Sequence, residues 1–182
     1  RLVPVDTGDV CVNVDATWFA EHELEPPTTL EDLADPAYRD LLVVESPVTS
    51  SPGLAFLIGT VDRYGEDGWS EYWQRLADNG LSVRPSWDDA YYNDYTVSGG
   101  DRPLVLSYAS SPPAEVLYGE GDEPASTVMV DSCAEQVHRL DRVAARGGLV
   151  VEPATGAREV EAHEPLRVGR LAQPPVVGEL LP

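Results

Sequence analysis

Lysine is absent from this 182-residue chain, and its 12 basic side chains, all arginine, stand against 32 aspartates and glutamates. The net charge of −20 excludes a nucleic-acid or anionic-membrane partner held by bulk electrostatics, because binding phosphates takes an excess of cations to displace their counterions. A cationic ligand is favoured instead. The all-arginine skew fits a GC-rich coding sequence better than a binding role. Cysteine is scarce too. Cys11 and Cys133 lie far apart, which excludes a C-x-x-C redox or zinc motif and leaves one long-range disulfide or two free thiols. No stretch reaches the roughly 20 apolar residues of a membrane-spanning helix, so no direct membrane insertion is expected. The opening RLVPVDTGD has neither Met nor a charged-then-apolar signal region, as expected of a cut or processed start.

Signatures of catalysis are missing as well. His22, His138 and His163 are scattered, and none pairs with a cysteine or carboxylate at metal-ligand spacing. There is no G-x-S-x-G elbow, no P-loop and no G-x-G-x-x-G fingerprint. No metal, no cofactor and no enzyme chemistry are therefore expected. No internal repeat is visible.

What is present is a globular chain, 42% apolar, with its charge unevenly spread. Residues 1–137 carry 26 acidic and 6 basic side chains, whereas residues 138–182 carry 6 of each, which puts a boundary near Val137. Ahead of it the pattern alternates. DVCVNV (9–14) reads as a strand, ATWFAEH as a helical turn, and Thr28-x-x-Glu31 as a capping box opening a helix over 29–34. LLVVE (41–45) suits a buried strand. Ser50 or Ser51 can then cap a helix with Pro52 in its first turn and an apolar stripe of Leu54, Leu57, Ile58 and Val61. Trp69, Tyr72, Trp73 and Leu76 repeat that spacing on a core-facing surface, and Gly80 ends the helix. LSVR reads as a strand, Ser86 with Asp89 as another helix start, and PLVLSYA and ASTVMV as strands flanking the helix PPAEVLYG. The alternation predicts an α/β domain with a largely parallel core sheet.

Three places could carry chemistry. Thr49-Ser50-Ser51-Pro52-Gly53 offers helix-start amides, hydroxyls and a glycine, the makings of an anion site, although ordinary capping accounts for the same residues. Ser86-Trp87-Asp88-Asp89 brings an indole face and two carboxylates together, suited to a flat cation or to a core aromatic beside dipole-favoured acids. Ser107-Tyr108-Ala109-Ser110-Ser111 follows a strand, where open α/β sheets bind ligands. The acidic GEGDE (119–123) reads as a solvated loop.

Taken in order, VPVDTGDVCVNVD, VTSSPGLAFL, PSWDDAYY and LVLSYASSP resemble the thiamine-binding branch of the bacterial periplasmic substrate-binding proteins of ABC transporters. The resemblance covers about residues 3–137. It implies a type II periplasmic-binding-protein fold with one complete α/β solute-binding lobe (15–125), inter-lobe crossover strands at 1–14 and 126–137, and only a fragment of the other lobe. An atypical, partly disordered tail would fill 138–182. Such receptors close two lobes over their ligand, and the resemblance implies an incomplete chain without the opening half-lobe. It implies binding of thiamine, thiamine monophosphate or thiamine diphosphate, an ABC permease as partner, and a periplasmic or cell-surface location, there as a lipoprotein. Ser50, Ser51 and Gly53 would meet the phosphate or hydroxyethyl end. Trp87 and Tyr108 would flank the rings, with Tyr91 and Ser107 beside them. Cys11 and Cys133 would form a disulfide, consistent with an oxidising compartment. Thr7 and Ala114 stand where the family often has aromatics, so two supporting ring contacts are expected to be missing. The rival readings are a receptor for ferric iron or a polyamine and, from another class, a serine hydrolase with His22 as base. Iron receptors usually carry two adjacent tyrosines after the strand, where this chain has Ser107-Tyr108-Ala109.

Overall fold

The computed structural model describes residues 2–119, 121–141 and 150–151. Six strands and three α-helices follow in the order β1 (Leu2–Asp15), α1 (Ala16–Glu21), β2 (Leu42–Glu45), α2 (Ser51–Asp78), β3 (Ser82–Arg84), β4 (Leu104–Tyr108), α3 (Ser111–Tyr118), β5 (Ser126–Asp141) and β6 (Val150–Val151). They form one sheet in the order β3-β2-β4-β1-β5-β6. Only β3, β2 and β4 run parallel; β1 is antiparallel to both β4 and β5. The sheet is therefore mixed, not largely parallel. An apolar run carries no direction, and the pairing of β1 with β5 is set by where the chain returns after α3. β5 stays paired with β1 as far as Asp141, so the compositional boundary near Val137 falls inside a continuous strand. Most of the tail expected at 138–182 lies outside the described residues.

Alternation along the strands sorts the core onto two faces. Val10, Val12, Val14, Leu42, Val44, Leu104 and Leu106 pack with Phe19, Phe56, Tyr72 and Leu76 beneath α2. Val43 and Val105 face the other way and meet Ala90, Tyr91 and Tyr95. These last come from a π-helical turn over Asp89–Asp94, where the sequence predicts an ordinary helix, and Gly99, at φ 93°, closes the 3-10 turn that follows.

The surface α2 turns to the sheet is Pro52, Gly53, Ala55, Phe56 and Thr60, while the predicted stripe of Leu54, Leu57, Ile58 and Val61 is only half-buried. A helix lying close on a sheet selects its small residues for the contact. Gly65, at φ 74° and ψ 174°, breaks α2 into two legs, a conformation open essentially to glycine. On the second leg Trp73 meets Phe56 and donates its indole N–H to Thr60 at 2.8 Å, whereas Trp69 is only half-buried. The predicted capping box is shifted by one residue. Thr29 Oγ1 accepts from the Asp32 amide, and Asp32 Oδ2 accepts from the amides of Thr28 and Thr29 at 2.9 Å each. These bonds, the Thr28 amide first, lower the Asp32 carboxyl pKa. Only a 3-10 turn follows, over Asp32–Ala34.

Between Val10 and Val12 the β1–β5 register jumps, pairing Val10 with Ala134 but Val12 with Met129. The bulged residues of β5 are held by Ser132, whose Oγ accepts from the Val12 amide and donates to the Met129 carbonyl. Cys133, in the same bulge, is disulfide-bonded to Cys11.

Candidate functional site

Three parallel strands ending side by side deliver three loops to one edge, the place where open α/β sheets expose their binding crevice. The loop after β2 leads to α2, the loop after β3 carries Trp87, and the loop after β4 leads to α3. Two bonds tie the first pair together: the Ser46 amide donates to the Arg84 carbonyl at 2.7 Å, and Thr49 Oγ1 donates to the Pro85 carbonyl. The helix entrance and the indole are thereby set next to each other.

At the entrance, Ser50 occupies the N-cap position but makes no side-chain capping bond. Ordinary capping thus does not account for its hydroxyl. Pro52 has no amide to satisfy, and the amides of Ser51 and Gly53 begin the helix at its positive end. Ser51 hydrogen-bonds the phenol of Tyr108; burial raises the Tyr108 pKa and this bond partly offsets it. Gly53 has a packing duty. A Cβ there would lie 2.3 Å from the Glu45 carbonyl oxygen, so glycine is what lets α2 seat against the end of β2.

Trp87 is half-buried, neither sealed inside nor free. Its indole N–H donates to Ser107 Oγ at 2.8 Å, and Ser107 Oγ lies 2.8 Å from Ser111 Oγ. One face of the ring is backed by Tyr91, stacked with centroids 4.8 Å apart and planes 21° apart. Tyr92 meets the ring edge-on at 5.3 Å, and Tyr108 lies 6.5 Å away, tilted by 50°. Tyr91 is itself anchored: its hydroxyl donates to Glu115 Oε1 at 2.6 Å, and Glu115 also accepts from the Ser126 amide and hydroxyl. Burial, then the bond to Glu115, drives the Tyr91 pKa well up, so this phenol stays protonated. Of the two acids beside Trp87, Asp89 is engaged by Ser86, which accepts from its amide and donates to its carboxylate. Asp88 is exposed. A groove of about 520 Å³ opens along this aromatic group, lined among others by Trp87, Tyr91, Tyr92, Ser111, Glu115 and Tyr118.

The predicted residues therefore converge, with different duties. Trp87 and Tyr91 line the groove, Tyr108 lies beside Trp87, and Ser50 and Ser51 stand at the entrance of α2. Ser107 is fully buried and holds the indole; Tyr91 backs it; Gly53 seats the helix. His22 follows β1, whose carboxyl end pairs with the start of β4, so it lies at the opposite edge of the sheet from Ser107, stacked on Trp18 at 3.8 Å. His22 is thus far from the strand-end serines. Sequence reasoning missed Glu45 and Glu115, and named Ser111 only as part of the loop after β4. Glu45 carried a signal, a charged residue closing the apolar run LLVVE, but it reads equally as the start of a surface loop. It is in fact fully buried, neither carboxyl oxygen has a hydrogen-bond partner, and burial pushes its pKa up to about 8.

Residues 1–115 match the model of a family described as bacterial extracellular solute-binding protein. The chain is 34% identical over 123 residues to the thiamine-binding periplasmic protein of Brucella abortus, covering 66% of this chain and 34% of that protein. To the thiamine-binding periplasmic protein of Escherichia coli K12 it is 32% identical over 143 residues, covering 76% of this chain and 42% of that protein. A solved structure of a periplasmic thiamin binding protein superposes with a TM-score of 0.62 at 29% identity, over 75% of this chain and 40% of that one. The chain thus spans well under half the length of these relatives. The fold is of the type II periplasmic-binding-protein kind, a mixed sheet with helices. By the match over more than half its length, and by a fold whose parallel strands end in one loop-lined crevice, the chain belongs to the bacterial extracellular solute-binding protein family.

Proposed function

We propose that this chain is the solute-gripping part of an extracytoplasmic receptor for thiamine or its phosphates, serving the permease of an ABC importer. β1 and β5 act as the crossovers to the rest of the receptor. The observation that supports this reading is the Trp87–Tyr108–Ser51 arrangement, an oriented indole next to a phenol that neighbours an uncapped helix start, all at the strand-end edge. A flat thiazolium cation is attracted to aromatic faces by roughly 0.5 to 2 kcal/mol each, more as water is excluded. A phosphate or hydroxyethyl end fits the hydroxyls and first-turn amides at Ser50 and Ser51. The thiamine-binding names of the relatives support the same ligand class.

The test is a titration of the protein with thiamine, thiamine monophosphate and thiamine diphosphate, followed by tryptophan fluorescence and calorimetry. Saturable binding is expected, with the fluorescence change lost in Trp87→Ala. Silence towards all three compounds would overturn the assignment, and binding of ferric iron or a polyamine would favour the rival receptors.

A further inference from the structure

Among the described residues, two have buried side-chain polar atoms without a partner, Asn13 and Glu45. Glu45 is the one at the strand-end edge. It pairs in register with Arg84 of β3, and because Val43 pairs with Val105, Glu45 and Ser107 stand two residues further along on the same face. Ser107 is the residue that holds the Trp87 indole. On the other side, Glu45 acts electrostatically on the phenol of Tyr108. The carboxyl is therefore buried at the end of β2, on the face shared with the serine that supports the indole and within electrostatic reach of Tyr108.

Every group that could neutralise it is engaged. From β3, Arg84 is paired with Asp94. From β4, Tyr108 bonds Ser51, and Ser107 bonds Trp87 and Ser111. The first turn of α2 brings only Ser51, Pro52 and Gly53, none titratable in this range. The 89–94 turn brings Asp89, held by Ser86, and Asp94, held by Arg84. A buried carboxyl with no cation of its own stays neutral by keeping its proton, and it ionises when a positive charge arrives nearby.

We propose that Glu45 is the residue through which this site senses the positive charge of its solute, holding a proton while the crevice is empty and releasing it when a cation seats on Trp87. This rests on the cationic-solute reading above and adds a charge-selection mechanism to it. The burial that pushes the carboxyl up to about 8 keeps the proton bound at neutral pH, so binding is expected to release protons and to tighten as pH rises.

The experiment is calorimetry with thiamine in buffers of different ionisation enthalpy, on wild type and Glu45→Gln, between about pH 6 and about pH 8. Wild type should release a fraction of a proton approaching one, with affinity rising by up to about tenfold per pH unit. Glu45→Gln, close in shape to the protonated acid, should bind with no release from this site and without that slope. The wild-type proton count does not depend on how the variant folds. Thiamine binding without proton release, or an unchanged slope in Glu45→Gln, would overturn this inference alone. Silence towards thiamine and both of its phosphates at every pH would overturn the receptor reading and this inference with it.

Discussion

Replacing Glu45 by glutamine should remove a loss of stability that the wild-type protein suffers as pH rises. The carboxyl is raised from 4.5 to about 8 because burial penalises its charged form. Between those values the folded state keeps a proton that the unfolded chain has lost, so stability falls with rising pH and levels off above the folded-state pKa. Each pH unit in the window removes about 1.4 kcal/mol, a cost of roughly 3 kcal/mol at pH 7. Glutamine does not titrate. Whatever its amide costs in the same unpartnered site is nearly independent of pH and cancels when one compares slopes. Urea unfolding of both proteins at pH 5 and pH 8 should show wild type losing about 4 kcal/mol more than the variant across that range. Histidines and surface acids contribute equally to both curves. Parallel curves would show that Glu45 is ionised in the folded protein, and the account of its burial would be wrong.

Other substitutions probe the scaffold. Ser107→Ala removes the acceptor of the Trp87 indole and should cost about 1 to 3 kcal/mol in urea unfolding, with a red-shifted tryptophan emission as the ring loosens. Gly53→Ala sets a methyl 2.3 Å from the Glu45 carbonyl oxygen and should destabilise by about 1 to 3 kcal/mol; unchanged stability would mean that α2 can lift off β2 freely. Cys11→Ser opens a cross-link between residues 122 apart, worth about 4 to 5 kcal/mol in the chain-entropy model. Reductant should lower the unfolding midpoint of wild type but not of that variant, and intact-mass analysis should show the wild-type chain gaining two hydrogens on reduction.

The strands at 9–14, 41–45 and 103–109 were legible because short apolar runs between turn residues have few other uses, and Pro52 and Gly80 mark helix limits through backbone chemistry alone. The residues proposed for the crevice stood out in the sequence for a related reason. Loops after β2, β3 and β4 combine hydroxyls, a tryptophan and a tyrosine where a fold of this type places its ligand. Direction, neighbours and burial were not legible, since they depend on residues distant in the chain. The same apolar run serves a parallel or an antiparallel strand, which is why β1 and β5 make the sheet mixed. The small face of α2, not its leucine stripe, meets the sheet because the distance of closest approach is a property of two packed surfaces. Ser107 and Tyr91 support the indole because Trp87 arrives from another strand, and Glu45 is buried because it ends β2 among strands and loops distant in the chain. Local chemistry therefore announces which residues can form elements and which can meet a ligand. Long-range packing assigns each its surroundings, and with them its charge state and its task.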